Sequence, residues 1–189
     1  MRILLAVARA RLYAQRRIAF YSCAAAFVAG LAQPAGFAAP LFLCSLLGIA
    51  LALTQSPGLH RYLDRCEQNA PLFGRQLARA KAFVPCIAAV LAALAYAVGL
   101  GLRGATDAPF TFLVTVAAVI AATLTALCAT IRRGASRVLY VALAAAASGA
   151  AYALAVTTRS VLAELVFCAL VALIALRQYG EALARYDPI

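Results

Sequence analysis

The sequence predicts an all-α, polytopic integral membrane bundle of six transmembrane helices, and three observations predict it. Apolar residues make up 66% of the 189 and charged residues 12%, about half of the roughly one quarter usual in a soluble domain. Several charge-free runs approach or exceed the ~18–20 residues that carry a helix across the hydrocarbon at about 1.5 Å per residue. The basic residues are also segregated. With six spans and the N-terminus inside, 15 of the 17 Lys and Arg fall in segments that face the cytoplasm, and only Arg103 and Arg159 fall outside. That is the asymmetry of the positive-inside rule. It accounts for the formal net charge of +11, and without an aromatic-rich basic face no nucleic-acid partner is expected. The placement this implies is a bacterial inner (plasma) membrane, crossed several times, with both termini cytoplasmic.

The chain reads as one transmembrane domain, 1–189. Residues 1–17 form a basic amphipathic interface helix: Arg2, Arg9 and Arg16 recur every seven residues on one face, and Ile3, Leu4 and Val7 cluster roughly opposite. Arg11 falls nearer the apolar face. Basic residues through Arg17, an apolar run from Ile18, and Gly30-Leu31-Ala32 before Gln33 imitate a signal peptide. Cleavage there would release no soluble domain, so an uncleaved first span, Ile18–Ala32, is expected. Residues 18–53 carry no charge, and as one helix they would run about 54 Å, too long for one crossing. Pro34, Gly36 and Pro40 supply a turn, and the second span follows as Phe37–Leu53. Four more spans are expected over 83–176: Phe83–Leu102, Pro109–Ile131, Val138–Val156 and Ser160–Leu176. A short cytoplasmic tail, 177–189, ends the chain. The connections 103–108, 132–137 and 157–159 are short, so consecutive helices must be antiparallel neighbours. The fifth span has small residues four apart, as in Ala145/Gly149 and Gly149/Ala153, which would let another helix approach closely.

Cys23, Cys44, Cys66, Cys86, Cys128 and Cys168 form no C-x-x-C pair, and His60 is the only histidine. Neither a disulfide framework nor a metal or haem site is expected, and no cofactor is assigned. The chain offers no acyl-transfer triad and no paired carboxylates at mid-membrane, so it is not read as an enzyme.

Residues 54–82 interrupt the hydrocarbon with a cytoplasmic polar segment. Leu59, Tyr62, Leu63 and Cys66 follow helical spacing. Asn69 can cap a second helix with Pro71 in its first turn, on which Leu72, Phe73 and Leu77 turn one way and Arg75 and Arg79 another. Gly74 and Lys81 do not make a phosphate loop, since no second Gly is correctly spaced and Ala82 stands where Ser or Thr is required. The sixth span carries one carboxylate, Glu164. An ionisable group inside a span is a functional candidate by default, unless it lies at headgroup level and is solvated.

The order of an amphipathic N-terminal helix, two spans, an intracellular helical segment and four spans resembles the permease subunit of an ABC-type exporter. "DRCEQNAPLFGRQLARAKAF" is similar to that class's intracellular helix in the order of Glu67, Pro71, Arg75 and Lys81. The resemblance implies a translocation pathway formed by a homodimer or with a second permease chain, and energy from a separate ABC ATPase subunit. Tyr62, Glu67, Phe73, Arg75, Arg79 and Lys81 are the residues expected to bind that partner, and Glu164, as an ionisable group inside a span, is the candidate for the substrate pathway. The chain departs from the class between spans five and six, where only Thr157-Thr158-Arg159 stands in place of short re-entrant helices. Two other readings stand beside it: an accessory or assembly subunit of a larger membrane complex, and a small membrane enzyme acting on lipid.

Overall fold

The computed structural model describes residues 2–32, 38–56, 74–104, 108–132, 134–158 and 160–184. They form six helices: α1 (Arg2–Ala32), α2 (Ala38–Leu53), α3 (Gly74–Leu102), α4 (Ala108–Ile131), α5 (Ala135–Thr158) and α6 (Val161–Ala184). No strand occurs among the described residues. Four helices are long and apolar enough to cross a membrane: α3, α4, α5 and α6. The sixteen residues of α2 extend about 24 Å, short of a hydrocarbon core roughly 30 Å thick.

Three boundaries differ from the sequence reading. The interface helix and the first span are not separate elements, because α1 runs unbroken from Arg2 to Ala32. No Pro or Gly precedes Gly30 in this stretch, and a single buried stripe, Ala8, Arg11, Gln15, Ser22 and Ala26, continues down both halves. The third helix begins at Gly74 rather than Phe83. Arg75, Arg79 and Lys81 therefore stand on the first turns of a long helix, whose inner face continues through Ala78, Ala82, Ala89, Ala92 and Tyr96. The last helix continues to Ala184, well past Leu176, with Gln178 and Glu181 on its final turns.

Close backbone approaches set the directions. A Cβ on Gly99 would stand 2.7 Å from the Phe27 carbonyl oxygen, and one on Gly30 would collide with the Tyr96 carbonyl. Helices α1 and α3 therefore run parallel, touching near their C-terminal ends. A Cβ on Gly48 would meet the Thr123 hydroxyl and Val119, and Leu41 clusters with Val114 near the starts while Ala52 clusters with Leu127 near the ends, which makes α2 parallel to α4. The Cys128 thiol donates to the Ala175 carbonyl at 3.3 Å and Cys168 clusters with Val114, Ala118 and Ala121, so α6 is parallel to α4, while the Tyr140 hydroxyl meets Gln178 across the antiparallel α5–α6 pair. One end of the bundle thus holds the starts of α1, α3 and α5 and the ends of α2, α4 and α6.

That end is the basic end. Arg9, Arg11, Arg79, Lys81, Arg132, Arg137 and Arg177 all lie on it, and Arg103 lies at the opposite, far end. The middle is α4: 72% of its span is buried, against 22% for α5 and 17% for α6. Most hydroxyls of α4 turn back onto their own helix, Thr123 to the Val119 carbonyl at 2.6 Å and Thr125 to the Ala121 carbonyl at 2.8 Å. This back-bonding satisfies a buried hydroxyl locally. Around α4, Leu162, Val166, Leu170 and Leu173 of α6 and Val138 and Leu139 of α5 are exposed. A soluble monomer rarely leaves so much contiguous apolar surface in water.

Candidate functional site

Glu164 sits on the first turn of α6. Ser160 caps that helix, its hydroxyl accepting the Ala163 amide at 3.4 Å, and a carboxylate one turn in is favoured by the helix dipole. The side chain has no exposed surface, and neither carboxylate oxygen has a hydrogen-bond partner. Counting back along α4 and α6 from the Cys128–Ala175 contact sets Glu164 level with Ala117. The start of α6 is itself level with Val114, about 9 Å past the start of α4 at 1.5 Å per residue, so Glu164 is enclosed by the bundle near its far end. A solvated carboxylate does not fit this burial.

Two further buried hydroxyls lack partners at the same level. Thr115 of α4 is 2% exposed, and its Oγ1 is unpaired, unlike Thr123 and Thr125. Ser45 of α2 is also 2% exposed and unpaired, and the Gly48–Val119/Thr123 contact sets it level with about Ala118. Three helices thus bring a carboxylate and two hydroxyls without partners to one layer. Sequence reasoning found Glu164 and missed the hydroxyls, because Ser and Thr in an apolar helix ordinarily bond to their own backbone and carry no distinguishing signal.

A second polar group lies buried nearer the basic end. The Arg11 guanidinium, wholly buried, donates to Gln55 Oε1 at 3.3 Å, and Gln15 Nε2 donates to Thr54 Oγ1 at 2.7 Å. Thr54 and Ser56 in turn donate to the carbonyls of Leu51 and Leu53, satisfying orphan acceptors at the end of α2. Lys81 is only 6% exposed, and the parallel α1–α3 register places it level with the turn before Gln15. Pro85 has no amide hydrogen for the Lys81 carbonyl. The signal available in the sequence was Arg11 itself, which disturbs the amphipathic pattern of residues 1–17 because it faces α2.

Of the residues assigned to partner binding, Tyr62, Glu67 and Phe73 lie outside the described residues. Arg75 is placed on the first turn of α3. Arg79 is exposed and shares with Leu173, Leu176, Arg177 and Gly180 a surface pocket of about 340 Å³. Lys81, by contrast, faces inward, so Arg79 and Lys81 do not form one contact face. No group of three or more His, Cys, Asp or Glu able to hold a metal occurs among the described residues. Comparison with known proteins returned no matching family model, no matching curated protein and no matching solved structure.

Proposed function

We propose that this chain is the membrane-spanning subunit of a transporter, of the ABC exporter type, working as a dimer and driven by a separate ATPase chain. The observation that carries the reading is Glu164. A fully buried carboxylate without a partner, in a helix apolar enough to cross a membrane, costs several kcal/mol, and such a cost is tolerated where the group meets a solute, a proton or water on a path through the bundle. Thr115 and Ser45, at the same level and with free hydrogen-bonding capacity, extend that path onto α4 and α2. In this arrangement all six helices cross the bilayer, and the short α2 and the charge-free half of α1 do so with some local thinning. The basic end faces the cytoplasm of a bacterial inner membrane, and the exposed Arg79 offers a cation to carboxylates on the ATPase.

The accessory-subunit reading is favoured by a different observation, the largely uncovered α5 and α6, which leave room for another membrane chain. Affinity purification from native membranes in mild detergent decides between them. The transport reading expects a nucleotide-hydrolysing chain to co-purify, and to be lost with the Phe73→Ala/Arg75→Ala double variant while the bundle stays folded. Co-purification of other membrane chains alone, unaffected by the double variant, would favour the accessory reading.

A further inference from the structure

Between α5 and α6, over the flank of α4, runs a groove of about 390 Å³. Leu143, Ala147 and Ala150 form one wall, and Phe167, Val171 and Ile174 the other. The alanines of α5 create the hollow, since they leave room that a larger side chain would fill. From Tyr140 to Ala150 the helix rises about 15 Å, the depth of one leaflet of a hydrocarbon core roughly 30 Å thick.

The groove is apolar along its length and polar at its basic end. There the Tyr140 hydroxyl donates to Gln178 Oε1 at 3.0 Å. The Arg132 guanidinium lies over the Tyr140 ring, 4.4 Å from its centroid, and its buried Nε has no hydrogen-bond partner. Arg137, exposed, stands three residues before Tyr140 on α5. A cation over the ring of Tyr140, which lines the basic end of the groove, and a second one turn before Tyr140 on α5 match a molecule with an anionic head and a hydrocarbon tail one leaflet deep. We propose that this groove holds an acyl chain of an anionic phospholipid from the leaflet at the basic end, with the phosphate between Arg132 and Arg137.

The inference rests on placement in a bilayer and not on the transport reading, so carbonate extraction of the same membranes checks that placement separately. The purified chain in lipid nanodiscs is given phosphatidylglycerol or phosphatidylcholine carrying a photoactivatable acyl chain, and labelled residues are read by mass spectrometry. Phosphatidylglycerol is expected to label the groove walls in preference to the exposed Val138 and Leu162 surfaces, and phosphatidylcholine to show no such preference. Arg132→Gln with Arg137→Gln should reduce the headgroup preference roughly tenfold or more, as expected for two basic residues near the membrane surface. Ala147→Phe should fill the hollow and remove groove labelling by either lipid, with Ala150→Leu as a milder variant should the first not fold. Uniform labelling of groove and exposed faces by both lipids would overturn the proposal. So would a groove protected from both lipids and cross-linked instead to a second copy.

Discussion

Glu164 combines complete burial with two unpartnered oxygens, and its replacement separates a structural role from a functional one. A carboxylate that held the bundle together would be missed. One that serves a pathway would not, because its removal also removes a desolvation cost. Glu164→Gln is therefore expected to leave thermal stability in detergent unchanged or raised by about 1–3 kcal/mol, and to impair transport in reconstituted vesicles. A fall in melting temperature would assign the carboxylate to structure. The reverse holds at Gln55. Gln55→Leu strands a hydrogen bond from the buried Arg11, and a loss of about 1–3 kcal/mol is expected, read from the same melting curves. Glu164 was legible in the sequence as the only carboxylate in an apolar run. The Arg11–Gln55 and Gln15–Thr54 pairs were not, because their members are 44 and 39 residues apart and periodicity reports only contacts within one helix.

Among the elements, α1 and α3 were legible in kind but not in extent. Charge density suggested a border at Ile18 and another at Phe83. Both helices run through those borders: α1 has no breaker near Ile18, and α3 continues past Pro85 because Ala78, Ala82, Ala89 and Ala92 keep one face packed. The existence of α4, α5 and α6 followed from length and apolarity alone, and their boundaries fall within a few residues of expectation except at the end of α6. Ile18→Pro tests the continuity of α1 directly. If a joint lay at Ile18, proline would sit in a first helical turn and be tolerated. In a continuous helix it removes an interior hydrogen bond, at a cost of about 3 kcal/mol or more, measured as loss of stability and of helical circular dichroism. The α1–α3 contact offers a companion test. A Cβ added at Gly99 would come within 2.7 Å of the Phe27 carbonyl oxygen, which leaves no space for a side chain. Gly99→Val should cost about 1–3 kcal/mol by overpacking, whereas the same change at Gly149, where nothing lies within 4 Å, should cost less.

For the whole molecule, the central claim is that all six helices cross the bilayer with the basic end in the cytoplasm. The claim joins the segregated arginines, the buried Glu164 and the uncovered faces of α5 and α6 into one arrangement, and both the proposed ATPase contact and the proposed pathway depend on it. Helices α3 to α6 have the length and apolarity to cross unaided, whereas α1 is basic over its first half and α2 is short, so the α1–α2 hairpin is where the claim is most exposed. Dual-reporter fusions after residues 36 and 105 measure it most directly. The account predicts that both positions lie outside the cytoplasm. A fusion at 36 active in the cytoplasm would reduce the crossing helices to four, and one at 105 active there would contradict the orientation altogether.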